Sequence, residues 1–145
     1  METENSNKPK RQYGPIVVRI LMGLAFTTFG LNGFLHFMPE PKEMPENIMS
    51  FLGALKNSGY LSIAMGTQLL VGILLLANRF VPLALALIAP ILVGIISFHI
   101  RLQPSGLGPG IVLSIMALYL AWAYRGAFAP MLAMNASPGP GKPTA

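Results

Sequence analysis

Residues 57–100 read NSGYLSIAMGTQLLVGILLLANRFVPLALALIAPILVGIISFHI, and Arg79 is the one formal charge in the stretch. On either side of it lie charge-free windows of 22 residues, 57–78, and 21 residues, 80–100. Each is long enough to cross about 30 Å of hydrocarbon as a helix. Working outward, two further windows appear at 20–39 and 102–124, of 20 and 23 residues. Only 15 of the 145 residues are charged, against roughly a quarter in a soluble domain.

The fold class that follows is all-α, an integral membrane four-helix bundle with spans at about 15–38, 60–78, 80–100 and 107–125. The hydrophobicity excludes a disordered chain, and the absence of Cys excludes a disulfide scaffold, a Cys-ligated metal site and a thiol redox centre. Residues 1–12 and 131–145 read as disordered cytoplasmic tails on a four-span domain at 13–130, the last tail being rich in Pro and Gly. Lys8, Lys10 and Arg11 precede the first window as the basic region of a signal peptide would. The apolar run from Ile16 to Met38 is too long for one, lacks a small-residue cleavage site and contains Asn32, so it is expected to be retained as the first span.

Basic residues set the expected orientation. Four spans put both termini and the Asn78-Arg79 turn on one side, with Lys8, Lys10, Arg11, Arg79, Arg125 and Lys142; the other side has Lys42, Lys56 and Arg101. Both termini are therefore expected in the cytoplasm and the chain in a bacterial inner membrane. The net charge of +5 then reads as topology, not as a nucleic-acid surface. Tyr119, Trp122 and Tyr124 beside Arg125, with Tyr13 at the same level, read as an interfacial aromatic belt. In the first external loop, Ile48, Met49, Phe51, Leu52 and Leu55 approximate one helical face, which predicts a short amphipathic helix over 46–57, ending near Gly59. Pro82 suits the first turn of the third span, whereas Pro90 sits in its middle and frees the carbonyl of Ala86. A kink is expected there, facing the bundle or a cavity.

Polar groups inside the windows locate the bundle interior or a site. Thr28, Asn32 and His36 recur at i, i+4 and i+8 on one face of the first span, beside a packing stripe of Gly23, Thr27 and Gly30 that lets a partner helix approach. Gln68 lies about 12 Å from the outer end of the second span and Asn32 about 9 Å from that of the first. His36 and His99 both fall near the outer mouth, so Thr28, Asn32, His36, Gln68, His99 and Arg101 are expected to line one outward-facing pocket, with Glu40 above it. A plainer reading stands beside this one. Asn and Gln also tie membrane helices together through bonds worth about 0.6 kcal/mol, and a His at a helix end is often interfacial. Arg19, about 6 Å inside the inner edge, is expected to snorkel to the headgroups. A b-type haem between His36 and His99 is disfavoured by their place at the water boundary. A free imidazole titrates near about pH 6.5, so a pocket holding both would accept or pass protons.

No hydrolytic constellation is present: the chain has no Asp, no carboxylate within a span and no phosphate-binding Gly loop. That argues against a self-contained hydrolase or nucleotide-driven pump, and no metal site is expected. The motifs Val18-Arg19-Ile20-Leu21-Met22-Gly23, Phe29-Gly30-Leu31-Asn32-Gly33, Gln68 to Leu76 with Gly72 inside it, and Phe98-His99 resemble, in order and spacing over about residues 15–130, the DoxX family of small four-helix bacterial membrane proteins. Members of that family resemble the small membrane subunit of a thiosulfate:quinone oxidoreductase, and others are thought to serve as membrane partners in redox or oxidative-stress complexes. The resemblance implies a shared site at Arg19, Asn32, Gln68, Gly72 and His99. The chain departs from the family in having Gln68 where Glu is frequent and no Lys near Gly33.

The leading expectation is an accessory membrane subunit, without activity of its own, that binds a quinone-like or other lipid-soluble molecule beside a redox partner subunit. One alternative is a small-solute permease with Pro90 as flexible point and Arg101 as anion attractor. The other is a structural scaffold whose polar residues only pack helices. The glycine faces also suit a homo-oligomer.

Overall fold

The computed structural model describes residues 12–39 and 43–134. The termini and Glu40, on which part of the sequence reading rested, lie outside the described residues. Among the described residues the chain is all-helical. Helix α1 runs Tyr13–Leu35, α2 Glu46–Asn57, α3 Tyr60–Leu76, α4 Val81–Arg101, α5 Leu107–Ala123 and the short α6 Arg125–Phe128. Single 3-10 turns at Pro104–Gly106 and Ala129–Leu132 complete the list of elements.

Each boundary has a local cause. The first helix stops at Leu35, short of the expected residue 38, because His36 takes a left-handed conformation (φ 49°) and its N–H bonds the Asn32 carbonyl at 2.9 Å. Pro45 opens α2, its carbonyl accepting the N–H groups of Ile48 and Met49. Glu46 in the first turn and Lys56 in the last suit the helix dipole. Gly59, at φ +77°, adopts a conformation that an L side chain resists and turns α2 through 78° into α3. The α3–α4 turn uses two more left-handed residues, Asn78 and Phe80, with the Arg79 N–H bonded to Leu74 O at 3.0 Å. Pro82 lies in the first turn of α4, and the helix continues through Pro90 to Arg101.

The four long helices form a closed ring, α1 against α3, α3 against α4, α4 against α5, and α5 back against α1, with α2 laid on α3. The core inside is aliphatic and aromatic, built from Met22, Phe26, Val71, Leu75, Ala84, Ile88 and Leu120. The tightest seam is α1–α3. A Cβ on Gly30 would stand 2.5 Å from the Leu69 backbone nitrogen, and one on Gly72 2.5 Å from that of Thr27. Only hydrogen fits at these places, so the two backbones meet directly. Large apolar side chains such as Leu24, Leu70, Val93 and Leu118 are exposed on the outside of the ring, the inverse of a water-soluble surface. Three helical stretches, α1, α4 and Pro104–Ala123, are long and apolar enough to cross a membrane, or four if the bent α2–α3 pair counts as one span.

Candidate functional site

A cavity of about 650 Å³ lies where α2, α3 and α4 meet. The α2 helix supplies Phe51 and Leu55, α3 supplies Leu61 and Gln68, and α4 supplies Pro90, Phe98, His99 and Arg101. Gln68 is eight residues into α3, about 12 Å from its start, and Pro90 is nine residues, about 13 Å, before His99 on the antiparallel α4. Gln68 and Pro90 thus form the floor, and His99 and Arg101 the rim. The wall between is mostly apolar, with Ser97 of α4 as its polar residue. Phe51 stacks on Phe98 with ring centroids 5.8 Å apart, and Phe98 meets His99 edge-on at 5.2 Å. The α2 helix is thereby fastened over the cavity by an aromatic contact as well as by its covalent corner at Gly59.

The polar groups are few and differently placed. Gln68 is 6% exposed, and its amide makes one weak bond, from Nε2 to Met65 Sδ at 3.7 Å. His99 Nδ1 lies 3.0 Å from the Gln103 carbonyl oxygen, and the ring is backed by Gly106 of the following turn. Arg101, the last residue of α4, is exposed at the rim. The site therefore offers an amide at depth, an imidazole and a guanidinium at the mouth, the hydroxyl-bearing Ser97 and Tyr60 among its lining residues, and otherwise aromatic and aliphatic walls.

Of the six residues grouped together from the sequence, the cavity brings together three: Gln68, His99 and Arg101. Thr28, Asn32 and His36 are elsewhere. The Thr28 hydroxyl bonds back to Leu24 O at 2.8 Å on an exposed face of α1. The Asn32 Oδ1 accepts the Met38 N–H at 2.7 Å, so this side chain closes the end of its own helix. His36 is exposed at that same end. The cavity consequently holds one imidazole, not the pair a bis-histidine haem needs. Among the described residues no group of three or more His, Cys, Asp or Glu side chains is placed to hold a metal ion. Phe51, Leu55 and Phe98 were missed as lining residues, although the apolar face of the loop helix was the signal that marked the α2 pair.

Arg19 does not snorkel. It is 7% exposed and turns into the ring, where Nη1 donates to Leu75 O and, at 3.4 Å, to Leu76 O, while Nε is buried without a partner among the described residues. The negative end of the α3 dipole and its last carbonyls, of which Leu75 O also accepts the Asn78 N–H at 3.2 Å, draw the guanidinium inward. Gly23 and Gly72 face each other across the α1–α3 seam, beside the buried Thr27 hydroxyl, which has no partner among the described residues. Pro90 borders the main cavity, whereas Ala86, whose carbonyl it deprives of a donor, borders a second groove of about 470 Å³ between α4 and α5. That groove is nearly all apolar, and the Ser114 hydroxyl in it is already bonded to Gly110 O at 2.8 Å.

Compared with known proteins, the chain matches no family model, no curated protein and no solved structure.

Proposed function

We propose that this chain is an integral membrane four-helix bundle of the DoxX-like kind, with both termini cytoplasmic in a bacterial inner membrane. In this reading it acts as the accessory membrane subunit of a redox system and holds a quinone-like, lipid-soluble molecule for a partner subunit. The observation that carries the reading is the cavity under α2, with mostly apolar and aromatic walls and few polar groups, Gln68 at the floor and His99 and Arg101 at the rim among them. A flat, apolar molecule with polar atoms at its ends has the complementary pattern, and about 650 Å³ falls in the range of pockets that enclose such ligands. The residues present fit a ring of the quinone class, with Gln68 able to hydrogen-bond a ring oxygen at depth and His99 a ring hydroxyl at the mouth. A bound quinone would supply two-electron redox chemistry, while the chain's own residues orient it and exclude water. The motifs of α1, α3 and α4 that resemble the DoxX family support the same reading.

The test is purification of the full chain in mild detergent, followed by mass spectrometry of the solvent extract from the native protein, from Gln68→Ala/His99→Ala and from His36→Ala. A quinone-class molecule enriched in the native protein and in His36→Ala, and depleted in the double variant, is the expected result. Bulk lipid alone in all three preparations would overturn the reading.

A further inference from the structure

His99 is held so that its two ring nitrogens cannot play the same part. Nδ1 lies 3.0 Å from the Gln103 carbonyl oxygen. A carbonyl oxygen only accepts, so Nδ1 carries a proton, and in the neutral form of the ring the lone pair lies on Nε2. Turning the ring over would set a C–H against that carbonyl and forfeit the bond. Gly106 seats the ring from behind, closely enough that a Cβ there would stand 2.5 Å from Nδ1 and 3.1 Å from Nε2. No hydrogen bond to Nε2 is formed among the described residues, and His99 is one of the residues that line the cavity.

A cavity whose mouth presents a fixed acceptor discriminates by the hydrogen that a ligand brings. A hydroxyl donates to Nε2. A carbonyl or an ether turns a lone pair toward a lone pair and leaves both unpaired, which costs affinity. Arg101, a pure donor, stands on the same rim and suits an oxygen that both donates and accepts. The stacked Phe51 and Phe98 make the wall beside this pair aromatic, which favours a flat ring over an aliphatic alcohol. From this geometry we propose that the cavity is selective for a phenolic hydroxyl on an apolar body, and so binds the hydroquinone form of a lipid-soluble ring in preference to the quinone form, with His99 Nε2 as the residue that reads the difference. The inference rests on the reading of the cavity as a lipid-soluble ligand site, and it adds the redox state that the site prefers.

The experiment uses detergent-purified full-length protein and anaerobic calorimetry with three probes: decylhydroquinone, decylbenzoquinone and the dimethyl ether of decylhydroquinone. Decylhydroquinone is expected to bind about tenfold more tightly than either of the others, the loss of one hydrogen bond to a partner left unpaired. Two variants reach the same atom by different routes. His99→Phe removes it, and Gly106→Ala displaces the ring through the new Cβ without altering the imidazole. Both are expected to bring the ratio close to one. Equal binding of all three probes to the native protein would overturn this inference and leave the ligand site standing. A preference that survives in both variants would overturn it as well, because the hydroxyl would then be read elsewhere. Binding of none of the probes would bring down the inference together with the proposed site.

Discussion

Arg19 and Gly30 show how much of this bundle is decided by single positions on α1. The Arg19 guanidinium bonds the carbonyls at the end of α3 while its Nε stays buried and unpaired. Hydrogen bonds to a charged donor outweigh one unpaired N–H, so Arg19→Met is expected to destabilise the protein by about 1–2 kcal/mol, with Arg19→Lys in between. Thermal unfolding in detergent would measure this, and an unchanged Tm for Arg19→Met would mean that burial of the charge cancels its bonds. At Gly30 the obstacle to any side chain is the Leu69 backbone, which cannot move aside as a side chain can. Gly30→Ala is expected to cost about 1–3 kcal/mol. Gly53, in α2, has open space around it, and Gly53→Ala is expected to raise stability by about 0.5–1 kcal/mol in the same assay. The sequence displayed the packing stripe of Gly23, Thr27 and Gly30 but not the fate of Thr28, Asn32 and His36. Spacing by four shows that residues share a face without showing which way that face points. On α1 the inward face is set by Met22, Phe26 and Gly30, two residues, or about 200°, away from Thr28.

The long helices were legible at the scale of elements because charge marks their limits: Arg79 and the residues around it separate α3 from α4 with no help from tertiary structure. The amphipathic pattern over 46–57 likewise marks α2. What no periodicity contains is the angle at which α2 leaves α3, since that angle depends on one left-handed glycine, and with it goes the cavity. Gly59→Ala is expected to strain the corner by about 1 kcal/mol and to loosen α2 from Phe98. Hydrogen exchange should then rise over α2 and remain slow over α1 and α3. Uniform protection equal to that of the native protein would show that the stacking of Phe51 on Phe98, not the corner, holds α2 in place.

The orientation belongs to the whole molecule, and the cysteine-free sequence gives a clean background on which to test it. Ser105, in the 3-10 turn after α4, and Gly126, in α6, are both exposed and lie at opposite ends of the ring. In intact cells Ser105→Cys is expected to react with a membrane-impermeant maleimide and Gly126→Cys only after lysis; the reverse pattern would invert the topology. The ring is also uneven in height. Helix α3 has 17 residues and so rises about 25 Å, less than the hydrocarbon thickness, whereas α1 with 23 residues, α4 with 21 and α5 extended by its preceding turn (Pro104–Ala123, 20 residues) are long enough to span it. In a bilayer, lipid around the perimeter would therefore compress on the α3 flank and relax on the other, a hydrophobic mismatch confined to the sector where α2 bends away over the cavity. Reconstitution in bilayers of shorter acyl chains is expected to raise the unfolding temperature relative to longer ones. The pinched leaflet would bring acyl chains, and anything dissolved among them, to the level of His99.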